Sequence, residues 1–168
     1  VESLDWAVLD FRIRGQEVTP ELNRYARRAM TFAVQADKRT GSLDADFTML
    51  MGRPPSADVP TYKIQGYPYG GSLIERLREM GFATTAVHGV SGEFFSRRPA
   101  YDRMGFDRLI FREEFEHLAG APVAGWSVPD DELLQFAAMD FSAQTGRQFQ
   151  LAITATSPTY KAVFFLPI

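Results

Sequence analysis

The sequence predicts an α/β fold in which helices pack in layers on a sheet. Segments with helix-capping signals alternate along the chain with short apolar runs, and stretches rich in Pro and Gly separate them. Polar residues also lie at the ends of predicted strands, because Ser42 follows one predicted strand, His88 ends a second and Thr154–Thr156 end a third. Ligand sites of open α/β sheets lie beyond the carboxyl ends of the strands. We therefore expect these three positions to meet at one edge of the sheet.

The first half of the chain predicts two helices and a strand. The segment Thr19-Pro20-Glu21 has the pattern of an N-cap, a first-turn proline and an acidic first turn, which predicts a helix over residues 21–30. Residues 31–34 (TFAV) are β-rich and brief, which predicts a short buried strand. Ser42 begins a second predicted helix, which ends at Gly52.

The central segment gives the clearest signals. Residues 53–71 are rich in Pro and Gly and predict a loop. Ser72 and Glu75 then form the pattern of a capping box, and the helix that follows is expected to end at Gly81. Residues 82–88 (FATTAVH) predict a strand that places His88 at its carboxyl end.

The last third predicts two more strands and a helix. Residues 106–111 (FDRLIF) indicate an edge strand. Ser127 and Asp130 suggest a second capping box, with Pro129 in the first turn of a helix that continues over residues 131–144. Residues 149–156 (FQLAITAT) predict the final strand.

Length and composition fit one globular domain with a buried core. The chain has 168 residues, of which 45% are hydrophobic and 13% aromatic. The formal net charge is −3 and no basic block occurs, which argues against a nucleic-acid partner. The absence of cysteine excludes disulfides, thiolate catalysis and Cys-bound zinc.

Ser42 has two compatible interpretations. From spacing alone it is more often a helix cap, and Asp44 and Asp46 are then expected to face solvent or to interact with the helix dipole. A helix N-terminus also suits a phosphate or sulfate, and a hydroxyl there can attack such a group if a divalent metal lowers its pKa. The second interpretation makes Ser42 a nucleophile.

The segment that follows His88 shifts the interpretation of that residue. A lone His at a strand end is more often structural, but the stretch HGVSGEFFSRRPAY adds a Gly-rich turn, the pair Phe94 and Phe95, and Arg97. Arginine is the side chain best shaped for bidentate contact with an oxyanion. His117 lies in an acidic helical stretch and is expected at the surface.

Six segments occur together in one order: VES at 1–3, GQEVTPELN at 15–23, GSLDADF at 41–47, SLIERLREMGFATTAVHG at 72–89, FFSRRPAYDRMGFDRL at 94–109 and LAITATSPTY at 151–160. This ordered set resembles the extracellular domain of the lipoteichoic acid synthase family. These proteins are phosphoglycerol transferases and related sulfatase-like proteins of the alkaline phosphatase superfamily. The resemblance implies an α/β/α sandwich of the alkaline phosphatase (sulfatase)-like type.

The resemblance also implies roles for individual residues. Glu2 matches the family's metal-binding Glu, and Ser42 matches its nucleophile, which is usually Thr and also a metal ligand. His88 matches the His of the family's His-Gly pair after a strand, which lines the substrate site and implies a substrate-binding role for His88. Phe94, Phe95 and Arg97 match the residues that hold the phosphoglycerol head group. The implied cofactor is a divalent metal ion, Mn²⁺, Mg²⁺ or Zn²⁺.

The chain departs from the family pattern at several points. Val90 stands where the family often has Asp, and no His follows the strand that ends in LAITAT. The family's first strand and its downstream Asp-His metal pair have no counterpart here. We therefore expect residues 1–168 to form a single partial catalytic domain, truncated at both ends, of a membrane-anchored protein with an extracytoplasmic location in the cell envelope.

Two functions from different classes follow. The first is a metal-dependent phosphoryl- or sulfuryl-group transferase or hydrolase, most similar to a phosphoglycerol transferase with a Ser nucleophile, acting on a phospholipid- or polyol-phosphate-type substrate. The alternative is a non-catalytic sulfatase-like interaction module of a bacterial envelope protein. A third, weaker candidate is a small sugar- or anion-binding domain that uses Phe94, Phe95 and Arg97. Open sheet edges are expected to favour pairing between copies of the chain.

Overall fold

The structure is a computed structural model that describes residues 6–30, 32, 39–119, 123, 125–155 and the backbone of 163–164. Two predictions fall on other residues. Glu2 lies outside the described residues, and so does the strand predicted over 31–34, apart from Phe32.

The N-terminal part of the described chain forms a small hairpin followed by a helix. Strands β1 (Arg12–Ile13) and β2 (Gln16–Glu17) pair antiparallel, and α1 spans Pro20–Ala26. The two residues between the strands, Arg14 and Gly15, both have positive φ, as a type I′ hairpin turn requires. The hairpin was not predicted, and α1 is shorter than the predicted helix.

Among the described residues, the main sheet has four strands in the order β4-β3-β5-β6. Strands β3, β4 and β5 are parallel to one another, whereas β6 is antiparallel to β5. The edge position of β4 confirms the edge strand predicted over residues 106–111. The strand bounds are Ala83–His88 for β3, Arg108–Ile110 for β4, Gln148–Ile153 for β5 and Val163–Phe164 for β6.

Five further helices surround this sheet. They are α2 (Leu43–Met51), α3 (Leu73–Glu79), α4 (Arg97–Met104), α5 (Arg112–Ala119) and α6 (Asp130–Ala143), with short 3-10 turns at Trp6–Val8, Thr61–Lys63 and Phe94–Ser96. The helices α2, α3 and α6 lie where the sequence predicts helices. His117 on α5 is exposed, as expected. The helix α4 was not predicted.

The helices cover both faces of the sheet, because neighbouring residues of a strand point to opposite sides. On one face, Ala86 of β3 and Leu151 of β5 are paired in register and pack in a core with residues of α2, α3 and α4. On the other face, Val87 and Ala152 are also paired and pack against Leu133 of α6. The result is the predicted α/β/α layering.

The two predicted capping boxes have different outcomes. The hydroxyl of Ser72 accepts a hydrogen bond from the backbone N–H of Glu75 at 3.0 Å, which confirms Ser72 as the cap of the first, while the Glu75 carboxylate accepts from the N–H of Gly71. The second is wrong, because Ser127 donates to the carbonyl of Val128 and α6 begins only at Asp130. Asp130 accepts a hydrogen bond from the N–H of Ala155 at 2.7 Å and thereby links the start of α6 to the chain just beyond β5.

The helices of the described chain are short or rich in charge. None of the described residues belongs to a helix whose length and apolar character would let it cross a lipid bilayer. The predicted pairing of chains through open sheet edges stays a prediction.

Candidate functional site

A cavity of about 310 Å³ opens at the carboxyl ends of β3 and β5. Of the six residues predicted to form the site, five line this cavity and the sixth, Glu2, lies outside the described residues. The cavity is lined by Gly41, Ser42, His88, Val90, Phe94, Phe95, Arg97, Trp126, Thr154 and Ala155. The expectation that Ser42, His88 and Thr154 meet at one edge of the sheet is therefore confirmed.

Ser42 immediately precedes α2 and has helical backbone angles (φ −65°, ψ −26°). A capping residue ordinarily has non-helical angles and uses its side chain to bind a backbone N–H. The hydroxyl of Ser42 makes no such capping bond, so the prediction of a side-chain cap is wrong. The side chain lines the cavity instead.

Asp44 is fully buried, which corrects the expectation that it faces solvent. Its carboxylate accepts hydrogen bonds from the backbone N–H groups of Arg39 and Thr40 at 2.8 and 2.6 Å. The hydroxyl of Thr40 also donates to it, at 2.9 Å. These bonds fix the turn that leads into Ser42. They also engage the Thr40 hydroxyl, the other alcohol of this turn.

Asp46 is buried as well, and the expectation of a solvent-facing side chain is wrong for it too. Its carboxylate accepts a hydrogen bond from Arg97 Nε at 3.1 Å and one from the hydroxyl of Tyr101 at 2.6 Å. The side chains of Arg97 and Asp46 are only 3% and 7% exposed. A buried charge is tolerated when it is paired and hydrogen-bonded. Asp46 is therefore the counter-ion that holds the Arg97 guanidinium beneath the cavity.

His88 extends this buried network to the sheet. Its Nδ1 lies 2.9 Å from the carbonyl oxygen of Ile153, and its Nε2 lies 3.4 Å from Arg97 Nη1. A carbonyl only accepts and a guanidinium only donates, so Nδ1 carries the proton and Nε2 accepts. Burial and the nearby Arg97 charge lower the pKa of His88 from 6.5 to about 3. The imidazole is neutral at physiological pH.

The depressed pKa of His88 predicts a pH-dependent stability. Below pH 6.5 the unfolded chain binds a proton at His88 while the folded chain does not, so stability falls as the pH drops from 6.5 towards 3. We expect this group to remove about 1.5–2 kcal/mol from the free energy of unfolding between pH 6.5 and 5. Urea unfolding of the wild type and of His88→Gln checks this. Equal pH slopes in the two proteins would contradict it.

A strained turn places Arg97 and the aromatic pair. Phe95 and Ser96 both have φ of 59°, in the left-handed region that non-glycine residues seldom adopt. This turn starts α4 directly at Arg97, whose guanidinium points towards Asp46. Phe94 and Phe95 lie together at the cavity, with ring centroids 4.3 Å apart.

Trp126 is a cavity residue that the sequence did not reveal. Its ring packs edge-on against Phe94, with centroids 5.3 Å apart, and it is about half exposed. The Arg112 side chain fixes the preceding segment by donating to the carbonyls of Gly125 and Val123 at 2.8 and 3.1 Å. A single tryptophan after a glycine carries no recognisable motif, so no sequence signal marks this residue.

The described residues do not by themselves form a cation site. Among them, no group of three or more His, Cys, Asp or Glu side chains converges in a way that could hold a metal ion. Dications need several hard ligands. Glu2 lies outside the described residues, so the metal site predicted at Glu2 and Ser42 stays a prediction.

A family model described as Sulfatase matches residues 1–157 of the chain. That span includes every residue that lines the cavity. The chain belongs to the sulfatase family. This membership agrees with the resemblance drawn from the sequence, although it assigns no role to an individual residue of the cavity.

Curated relatives of this sulfatase chain include three proteins of Bacillus subtilis (strain 168). It is 21% identical to lipoteichoic acid synthase-like YvgJ over 94% of its own length and 26% of that protein. It is 25% and 28% identical to lipoteichoic acid synthases 1 and 2, in each case over 66% of its own length and 18% of theirs. The chain therefore spans about a quarter or less of the length of these relatives.

Solved structures agree with the fold. The lipoteichoic acid synthase LtaP from Listeria monocytogenes matches 94% of the sulfatase chain with a TM-score of 0.73 at 20% identity, and the match covers 40% of LtaP. A protein in the alkaline phosphatase superfamily from Vibrio parahaemolyticus matches 68% of the chain, and 29% of its own, with a TM-score of 0.54 at 22% identity. The alkaline phosphatase-like fold predicted from the sequence is confirmed.

Proposed function

We propose that the cavity is the head-group site of a phosphoglycerol transferase-like enzyme and that Ser42 is its nucleophile. The observation that carries this proposal is the convergence of Ser42, Arg97 and the Phe94–Phe95 pair around one cavity. Family membership and the names of the curated relatives support the same reaction class.

The reaction is a substitution at phosphorus. The Ser42 oxygen forms a bond to the phosphorus of a phosphodiester lipid, and the bond from phosphorus to the lipid alkoxide breaks. The proton lost from Ser42 ends on the leaving alcohol, so diacylglycerol is released while glycerophosphate stays on Ser42. An acceptor hydroxyl or water then takes over the glycerophosphate group.

Arg97 and His88 have different tasks in this proposal. Arg97 stabilises the negative charge that develops on the phosphoryl oxygens. Both ring nitrogens of His88 are already engaged, with Ile153 and Arg97, and its low pKa makes it a poor base at neutral pH. We therefore assign His88 a positioning role, in which its neutral imidazole orients the guanidinium.

The proposal also includes the predicted head-group contacts, the predicted location of the protein and the predicted metal ligands. Phe94 and Phe95 contact the polyol part of the head group, and the protein acts in the cell envelope from a membrane anchor. Glu2 and Ser42 stay the proposed ligands of a divalent ion. No step above passes through that ion, because the described residues form no cation site.

A lipid assay tests the proposed activity. Full-length protein is incubated with phosphatidylglycerol vesicles in the presence of Mn²⁺, Mg²⁺ or Zn²⁺, and diacylglycerol is measured. An aryl sulfate ester serves as the parallel substrate for sulfuryl transfer. We expect diacylglycerol release and no sulfate release. Sulfate release alone would move the activity to sulfuryl transfer, and no product from either substrate would overturn the enzymatic proposal.

The non-catalytic module remains a second candidate because of two observations. Val90, at 2% exposed, lines the cavity where the family often has Asp, and the described residues form no cation site. Calorimetric titration of the full-length protein with Mn²⁺ separates the two functions. Stoichiometric, tight uptake supports the enzyme, whereas no uptake supports the module.

A further inference from the structure

The hydroxyl of Thr154 is buried, and within the described part of the chain it has no hydrogen-bond partner. Thr154 directly follows β5, is 3% exposed and lines the cavity. Among the described residues and their atoms, none forms a hydrogen bond with Thr154 Oγ1. Buried hydroxyls in native proteins nearly always have a partner, because an unmade hydrogen bond is costly.

The backbone on both sides of Thr154 is fixed. The carbonyl of Ile153 accepts a hydrogen bond from His88 Nδ1, and the N–H of Ala155 donates to Asp130 Oδ1 at 2.7 Å. These bonds join the strand end to β3 on one side and to α6 on the other. The segment that carries the hydroxyl is therefore held in place before any ligand arrives, which is how preorganised binding groups are built.

Two other buried hydroxyls of the described chain also lack a partner, those of Tyr62 and Tyr69. Both rings belong to the aromatic core between α2 and α4, and neither lines the cavity. Thr154 differs because it is one of the residues that line the cavity in which a ligand would lie. A bound oxygen atom is the partner that this position lacks.

We propose that Thr154 contacts the substrate and that its hydroxyl forms a hydrogen bond with an oxygen of the bound polyol phosphate. This inference rests on the proposed function and adds a specificity-determining residue to it. A hydroxyl both donates and accepts, so the partner is either a phosphoryl oxygen or a hydroxyl of the polyol. A phosphoryl oxygen would accept a hydrogen bond from Thr154, whereas a polyol hydroxyl could accept or donate one. Binding of two ligands, one with and one without the polyol, distinguishes these partners.

Thr154→Val is the decisive variant, because valine keeps the shape of threonine and removes only the hydroxyl. In the free protein an unpartnered hydroxyl is lost, so the Tm is expected to stay the same or to rise. In the complex a hydrogen bond is lost, so the Kd for glycerol phosphate is expected to rise about tenfold. A residue with a purely structural role would not combine an unchanged or higher Tm with a higher Kd when its hydroxyl is removed.

Calorimetric titration of full-length protein with glycerol phosphate and with inorganic phosphate identifies the contact. Weaker binding of both ligands to Thr154→Val assigns the hydrogen bond to the phosphoryl group, and weaker binding of glycerol phosphate alone assigns it to the polyol. Unchanged affinity for both, or a clear loss of Tm, overturns the inference. If the wild type itself binds neither ligand, the proposed function fails and the inference fails with it.

Thr84→Val is the matched control. Thr84 is buried in β3, and its hydroxyl donates to Asp107 Oδ2 at 2.9 Å, so this hydroxyl has a partner inside the protein. Its loss is expected to lower the Tm and to leave both affinities unchanged. The two threonines thus differ in the sign of the stability change and in the ligand affinity.

Discussion

Replacing Ser42 by alanine is expected to lower lipid turnover by the full-length protein at least ~1,000-fold, since removal of a nucleophile abolishes the covalent route. The fold should survive. The Ser42 side chain makes no capping hydrogen bond, so its loss leaves no buried partner unsatisfied. Diacylglycerol release and the urea midpoint, measured on the same preparation, check both parts of the prediction.

Thr40→Ala is the control for this variant. Thr40 carries the other alcohol of the same turn, but its hydroxyl donates to Asp44. Its removal should cost about 1 kcal/mol of stability and leave turnover within a few-fold of the wild type. The reverse pattern, with full turnover in Ser42→Ala and loss in Thr40→Ala, would transfer the nucleophile to Thr40.

Replacing Asp46 by alanine is expected to destabilise the fold by about 3–5 kcal/mol, which is the effect of removing one partner of a buried ion pair. Asp46 neutralises Arg97 and also accepts the hydroxyl proton of Tyr101. Both groups are buried. Without the carboxylate, the buried guanidinium would lose this ion pair and the Tyr101 hydroxyl would lose its acceptor. The free energy of unfolding from urea titration measures the loss.

Further variants show whether the stability lost in Asp46→Ala comes from breaking the ion pair with Arg97. Asp58 is exposed, and Asp58→Ala should change stability by less than about 0.5 kcal/mol. The double variant with Asp46→Ala and Arg97→Met removes the whole ion pair and should be more stable than Asp46→Ala alone. The single variant Arg97→Met completes the comparison. If the stability lost by the double variant equals the sum of the losses in Asp46→Ala and Arg97→Met, the pair is not energetically coupled.

The features that the sequence predicted are those with a local signal. The capping box at Ser72 is formed within four residues, and the strand that ends at His88 is a short apolar run bounded by glycines. The meeting of His88 and Thr154 was predictable as well, because the parallel strands β3 and β5 bring their carboxyl ends to the same edge of the sheet.

The features that it missed depend on partners far away in the chain. Asp46 has the local pattern of a solvent-facing residue in a helix's first turn, but its partner Arg97 is 51 positions away. Ser127 fits a capping box by spacing, yet Asp130 begins α6 and binds Ala155 instead. Trp126 reaches the cavity only through tertiary packing against Phe94. Contacts between residues this far apart in the chain produce no periodic pattern in a single sequence.

The central claim is that the hydroxyl of Ser42 forms a covalent bond with the transferred group. Mass spectrometry of the full-length protein, quenched in acid during turnover of phosphatidylglycerol and then digested, tests this claim most directly. The account predicts that the peptide containing Ser42 gains the mass of one glycerophosphoryl group, and that fragmentation places the added mass on Ser42. An adduct on another residue, or continuing turnover with no adduct on any peptide under conditions that trap phosphoserine, would contradict it.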